Sequence, residues 1–292
     1  MSDLTVEVER GRARLTLNRP EKRNALSFDV QRLLYEALWD ADNDRDVHSV
    51  IIRGAGPDFC AGYDLAGAAP RDPQRNQRGG SSIDDDIWQL ERQQRFRMAI
   101  FDMHKPVIAQ VHGRCLAGGT DIAFLSDMVI AAADATIAFP PARDLGSLPN
   151  QMWLYHCGPQ WAKRLLLTGD SVTGKEAQEI GLVMKAVPHD LLEAEVEGLA
   201  DRLALIDPDL LTTQKRIVNM GLELMGARTL QRLACENDAR GHRAKAADTF
   251  RKNATEKGLK EAFRERDGKF GDGRARVNGP ELRDANGNLV EE

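Results

Sequence analysis

Apolar and polar residues alternate at the start of the chain. Leu4 to Glu9 and Arg12 to Leu17 follow this pattern around Arg10-Gly11, which predicts a β-hairpin. The period then lengthens. With Ser27 suited to cap a helix, Val30, Leu33, Leu34, Ala37 and Leu38 fall on one face of a helix predicted from Phe28 to about Asn43. Val50, Ile51 and Ile52 make a buried strand over 49–53. Residues 66–82 break the pattern with Gly, Pro, Arg, Asn and Ser, and predict an exposed loop, poorly ordered without ligand. Helical spacing resumes from Ile83 to Met103, anchored by Ile87, Leu90, Phe96, Ile100 and Phe101.

The stretch Lys105 to Asp134 reads as strand, glycine turn, helix, strand. Val107, Ile108, Ala109 and Val111 form the first strand, His112-Gly113 turns the chain, Ala117-Gly118-Gly119 opens a helix, and Met128 to Ala132 returns to strand. Further helices are predicted at Gln160 to Leu167, Thr173 to Ile180, Leu191 to Leu205, Leu210 to Met225 and Thr229 to about Arg240. Asp207-Pro208 separates the third of these from the fourth. A short helix from Gly258 to Arg266 precedes a polar segment, Asp267 to Glu292, expected to fray.

Composition narrows the function classes. A chain of 292 residues can bury a sizeable core, and its net charge of −5 gives no electrostatic reason to expect nucleic acid or an anionic membrane as partner. No apolar run approaches a transmembrane helix and the first residues resemble no signal or transit peptide, so the cytoplasm is expected. Cys60, Cys115, Cys157 and Cys235 show no metal-ligand spacing, so free thiols and no metal site are expected.

The chemistry centres on Gly118-Gly119. The first amides of a helix lack internal partners and carry partial positive charge, and glycine lets a ligand approach them closely. Such a place suits an oxygen that becomes negative, like a thioester carbonyl turning into an enolate. Asp121 would put a carboxylate near that oxygen. The same residues are equally consistent with close packing and with an acid placed to favour the helix dipole.

Four motifs add to this: NRPEKRNALS (18–27), FCAGYDL (59–65), KPVIAQVHGRCLAGGTDIAFLSD (105–127) and LLLTGDSVTGKEAQEIGLV (165–183). In this order they resemble the crotonase superfamily, the enoyl-CoA hydratase/isomerase family, from Leu4 to Phe270. The resemblance implies an α/β fold, a crotonase-type spiral of ββα units with a C-terminal helical subdomain. It divides the chain into a spiral core with the acyl-CoA site (1–205), a helical trimerisation subdomain (206–266) and the polar tail (267–292). It also implies an acyl-CoA thioester as substrate, CoA being part of the substrate with no permanently bound cofactor, and a homotrimer or dimer of trimers. The backbone amides of Tyr63 and Gly118 would hold the thioester oxygen, and Asp121 matches the first hydratase acid. Arg19, Lys22 and Arg23 would lie near the CoA phosphates, with Ala61, Asp64, Leu65 and Gly119 around the ligand.

One departure matters. Where hydratases carry a second Glu, this chain has Ala142 or Pro141, depending on the direction of counting, and the nearest ionisable groups are Arg143 and Asp144. Hydration needs two proton-handling groups. Asp144 could therefore share the work with Asp121, or Asp121 alone could isomerise a double bond. The oxyanion hole could also serve C–C bond hydrolysis or ring cleavage, with Asp144 or His156 activating water. A non-catalytic acyl-CoA-binding subunit is the alternative outside enzyme chemistry.

Overall fold

The computed structural model describes residues 2–65 and 82–290. The chain begins with β1 (Leu4–Glu9), β2 (Arg12–Leu17), α1 (Phe28–Asn43) and β3 (Ser49–Gly54). The middle comprises α2 (Ile83–Asp102), β4 (Val107–Val111), β5 (Arg114–Leu116), α3 (Gly118–Leu125), β6 (Met128–Ala132) and β7 (Thr136–Ala138). Then follow α4 (Trp153–Thr168), β8 (Val172–Thr173), α5 (Gly174–Glu179), β9 (Lys185–Val187) and α6 (Leu192–Leu203). Four helices close the series: α7 (Pro208–Leu224), α8 (Ala227–Gly241), α9 (Lys245–Lys257) and α10 (Leu259–Asp267).

Six strands form one sheet in the order β1-β2-β3-β4-β6-β9, and β5-β7-β8 form a second. The hairpin β1–β2 is antiparallel and the other pairs of the large sheet are parallel. Its turn, Arg10-Gly11, has positive φ at both residues (51° and 77°), the backbone that matches the twist of paired strands. Strands β4 and β6 are almost wholly apolar because α6 and α3 both pack on them, and α6 also covers β3. Arg12 and Arg14, polar positions of the β2 alternation, are buried as well. They pair with Glu197 and Asp201 on α6, the Arg14 Nε to Glu197 Oε1 distance being 2.6 Å.

Helix α3 is enclosed: every one of its residues from Gly118 to Leu125 is buried. It runs between the large sheet and β5, with α2 alongside. Helix α2 in turn packs on α8. The C-terminal half of the chain thereby reaches the neighbourhood of the glycine turn.

Several expectations are met locally. Ser27 caps α1 by accepting from the Val30 amide, and Asp207 caps α7, whose first residue is Pro208. Of the loop expected at 66–82, only Ser82 lies within the described residues, where it caps α2. Other expectations are corrected. Helix α4 starts at Trp153, earlier than the Gln160 expected, because a kink at Gly158 (φ 71°, ψ 172°) before Pro159 joins two helical pieces. Helix α9 was not anticipated, since only Ala247 and Phe250 are buried on an otherwise polar surface. The tail does not fray from Asp267. The Ser171 amide donates to Gly273 and Ser171 accepts from the Ala275 amide (2.8 Å each), with Ala275 fully buried.

Candidate active site

Three of the sequence motifs meet through their backbones. The Cys60 amide donates to Arg114 (3.0 Å) and its carbonyl accepts from Leu116 (2.9 Å), so FCAGYDL runs parallel to β5. On its other side the Leu26 amide donates to Gly62 (2.8 Å) and the Asp64 amide to Leu26 (3.1 Å). Gly62, at φ 107°, comes so close to the second turn that a Cβ there would lie 2.8 Å from the Ala117 Cβ and 3.5 Å from the Gly118 nitrogen. The Gly62 carbonyl and Asp64 amide both face Leu26, so the Tyr63 amide between them points to the opposite edge. Among the described residues, neither the Tyr63 nor the Gly118 amide has a hydrogen-bond acceptor.

Ala117, just before α3, has φ 49° and ψ −118°, a conformation disfavoured for a residue with a Cβ. Such strain typically costs about 1–3 kcal/mol and persists where surrounding structure enforces it. Here the Ala117 amide donates to Ala138 on β7 (3.0 Å) and its carbonyl accepts from the Thr120 hydroxyl (2.6 Å). Those bonds hold the Gly118 amide in place.

Asp121 sits in the first turn of α3 and is only 1 % exposed. The Tyr63 hydroxyl donates to its Oδ2, and Arg97 Nε lies 3.9 Å from the same oxygen. Asp121 Oδ1 and Arg97 Nη2 are buried without a hydrogen-bond partner among the described residues. The rest of Arg97 is held by Asn150 (2.8 Å) and Gln31 (2.6 Å), and its guanidinium lies 5.2 Å from the Tyr63 ring centre. Burial pushes the Asp121 carboxyl up to about 7. Arg97 and the Tyr63 hydroxyl pull it down, and the charge of Asp238 adds to the rise. Asp238, on α8, accepts from the Ser147 amide (2.9 Å), and burial raises it to about 6.

The predicted residues separate into those that meet here and those that do not. Tyr63, Gly118 and Asp121 come together. Asp144 faces elsewhere: it lies 3.6 Å from Arg266 on α10 and lines a cavity of about 480 Å³ with Ala142, Gly146 and Arg240. His156 is also apart, its Nε2 2.9 Å from the Phe124 carbonyl near the far end of α3, and burial lowers its pKa. Gly119 packs on protein rather than on open space, since a Cβ there would lie 2.6 Å from the Cys60 carbonyl oxygen. Arg19 needs correction as a phosphate ligand. It is buried and engaged with the Ala25 carbonyl (2.7 Å), Asp64 (2.9 Å) and Asp3 (3.4 Å), so it braces the NRPEKRNA turn. Lys22 and Arg23 stay exposed, Lys22 lying 3.7 Å from Asp64, and Leu65 and Ala61 retain partial exposure. Burial raises the Cys60 and Cys115 thiols, which disfavours a nucleophilic thiolate at either.

Arg97 and Asp238 lie outside the motifs, but the sequence carries a signal for each. Arg97 shares the buried face of α2 with Gln94 and Phe101, and Asp238 that of α8 with Gln231, Ala234 and Cys235. A charged residue at the core-facing phase of a helix is the detectable mark.

Among the described residues, no helix is long and apolar enough to cross a membrane, and no cluster of His, Cys, Asp or Glu could hold a metal. The profile of a family described as enoyl-CoA hydratase/isomerase matches residues 7–272. An enoyl-CoA hydratase of Mycobacterium tuberculosis is 34% identical over 199 residues, 66% of this chain and 71% of its own. The 2,3-dehydroadipyl-CoA hydratase of Escherichia coli is 32% identical over 228 residues, 77% of this chain and 84% of its own. The crystal structure of an enoyl-CoA hydratase from Mycobacterium smegmatis superposes with a TM-score of 0.88 at 35% identity, covering 96% of this chain and 98% of that one.

Proposed function

Because the chain belongs to the enoyl-CoA hydratase/isomerase family and has the crotonase fold, we propose that it moves a proton at the carbon next to the carbonyl of an acyl-CoA thioester. The amides of Tyr63 and Gly118 hold the thioester oxygen as it becomes an enolate, and Asp121 is the carboxyl that stores and returns the proton. The observation that carries this reading is the pair of amides without an acceptor among the described residues, beside a buried carboxyl raised to about 7, where both its protonation states are populated near neutral pH. Lys22 and Arg23, exposed beside the FCAGYDL segment, are suited to the CoA phosphates.

One carboxyl suffices to relocate a double bond, so isomerisation fits the apolar residues Pro141 and Ala142 at the second acid position. Hydration is the second reading. It is favoured by Asp238, a second buried carboxylate whose field reaches Asp121. Assembly as a homotrimer or dimer of trimers belongs to the same proposal. It draws support from apolar side chains left exposed on and beside α7, including Leu205 (85%), Val218 (63%) and Leu224 (91%).

The test is a panel of enoyl-CoA thioesters differing in length, ring content and double-bond position, with hydration and isomerisation followed separately. Asp121→Asn is expected to lower the rate on the best substrate by about 10²- to 10⁴-fold, the usual worth of a general acid–base group. Turnover that survives this substitution removes Asp121 from the chemistry.

A further inference from the structure

Tyr63 enters the family-level reading only through its amide, yet its side chain occupies a decisive place. A Cβ built on Gly118 would lie 2.9–3.0 Å from Cζ, Cε1 and Cε2 of the Tyr63 ring, so the hydroxyl-bearing edge of the phenol lies over the first residue of α3. The hydroxyl donates to Asp121 Oδ2. Tyr63 keeps partial exposure, whereas Asp121 is 1 % exposed and Arg97 1 % exposed. Tyr63 is therefore the least buried residue of the three.

We propose that the Tyr63 hydroxyl is the group that exchanges the proton with the substrate's α-carbon, with Asp121 behind it as the store. This rests on the reading of the site as an acyl-CoA enolate site. A thioester oxygen held by the Gly118 and Tyr63 amides sets its α-carbon two bonds away, beside the phenol edge and in front of the carboxyl. In the protonation direction, the electron pair of the enolate C=C bond forms the new Cα–H bond as the Tyr63 O–H bond breaks. The phenolate oxygen takes the hydrogen of the Asp121 carboxylic acid, and the negative charge comes to rest on Asp121. Removal of the α-proton is the same sequence reversed. Arg97, 3.9 Å from Asp121 and 5.2 Å from the phenol ring centre, stabilises the negative charge on either oxygen.

Tyr63→Phe keeps the ring over Gly118 and removes one oxygen. The rate to measure is exchange of the α-hydrogens of a saturated acyl-CoA for deuterium in D2O, with the Kd of the same thioester measured in parallel. The expected result is a loss of exchange of about 100-fold or more with Kd within about three-fold. Because Tyr63→Phe orphans a buried carboxyl oxygen, the Tyr63→Phe/Asp121→Asn pair is the companion variant. Its loss is expected to match that of the more damaged single variant rather than the product of the two, as for residues acting in one chain. Exchange by Tyr63→Phe within about three-fold of the unsubstituted protein overturns the proposal while leaving the enolate site standing, and so does multiplicative loss in the double variant. Loss of thioester binding in Tyr63→Phe also overturns it, by assigning the hydroxyl to affinity. If the unsubstituted protein neither binds nor exchanges any thioester, the acyl-CoA reading itself fails.

Discussion

Two contacts between a carboxylate and arginine treat the carboxylate in opposite ways. At the β2–α6 contact, Glu197 receives Arg14 at 2.6 Å through Nε and 2.8 Å through Nη2, with Arg12 bonding to it as well. Those hydrogen bonds hold its carboxyl down at about 2. At the start of α3, Asp121 has one arginine at 3.9 Å, a phenol donor and one oxygen with no hydrogen-bond partner among the described residues, and burial lifts it to about 7. The first carboxylate is locked in its charged form and serves the join between sheet and helix. The second is balanced between its two forms at neutral pH, which a structural ion pair does not need and a proton carrier does. The two differ in both respects: Asp121 is almost wholly buried with few donors aimed at it, whereas Glu197 is half-buried and receives both arginines.

The sharpest way to break this contrast is to remove the donor pair that gives Asp121 its work. Gly118→Val places a Cβ about 2.9 Å from the Tyr63 ring, displacing the phenol and the Gly118 amide together. Loss of a single oxyanion donor typically raises a barrier by about 3–4 kcal/mol. Turnover of the best enoyl-CoA is therefore expected to fall at least 100-fold, with the thermal unfolding transition retained. A variant that stays active would show that α3 is a packing element only.

The second test reads the two carboxylates through stability against pH. Asp121 has a folded-state pKa above its ordinary value. Its contribution is complete below about pH 4 and is lost as pH rises through about 7. Glu197 is depressed, so its contribution is present above about pH 4.5 and is lost as pH falls through about 2. Denaturant unfolding across pH 3 to 9 is expected to show Asp121→Asn gaining on the parent protein by roughly 3–5 kcal/mol between about pH 4 and 8. The gain is partly shared with Asp238, Arg97 and the Tyr63, Cys60 and Cys115 groups that face the carboxyl. Glu197→Gln is expected to lose roughly 1–2 kcal/mol near neutrality after allowance for solvent screening, and to draw closer to the parent as pH falls toward 3. Parallel curves for Asp121→Asn and its parent would erase the distinction.

The legible parts of this molecule are those where backbone demands select residue types. Arg10-Gly11 marks the hairpin, Ser27 the start of α1, and the glycines at 62 and 118 the close approach of two turns. In each case a local conformation restricts the side chain. Which side chains would converge from distant helices was not legible. Arg97 and Asp238 are reached through the packing of α2 against α3 and α8, and a one-dimensional pattern shows only that a charge sits in an apolar phase. Ala117 gives no sign at all of its strained backbone, because alanine is otherwise the residue least demanding of conformation. The motif calls only on the Tyr63 amide, so it carries no signal for the side chain. The order of the tail is not legible in its composition, because backbone pairing with Ser171 anchors residues 273–275.

Asp144 tests where the line between the two kinds of carboxylate falls, and its expected effect on activity is the smallest. Among the described residues it has Arg266 at 3.6 Å and an Oδ1 without a hydrogen bond, and burial raises it to about 6. By charge state alone it resembles Asp121. By position it does not: the groups whose charges act on Asp121 are Arg97 and Asp238, and those acting on Asp144 are Arg266, Asp267 and Lys269. A poised carboxyl can act on a substrate only from within hydrogen-bond reach or through one water. Asp144→Asn is therefore expected to change turnover less than about three-fold on any thioester that Asp121→Asn disables, far short of the 10²-fold or more that a general acid–base group contributes. If Asp144→Asn instead matched Asp121→Asn, the cavity beside Gly146 would have to be continuous with the glycine turn when substrate is bound. The paired-carboxylate route to hydration would then displace the phenol–carboxyl chain.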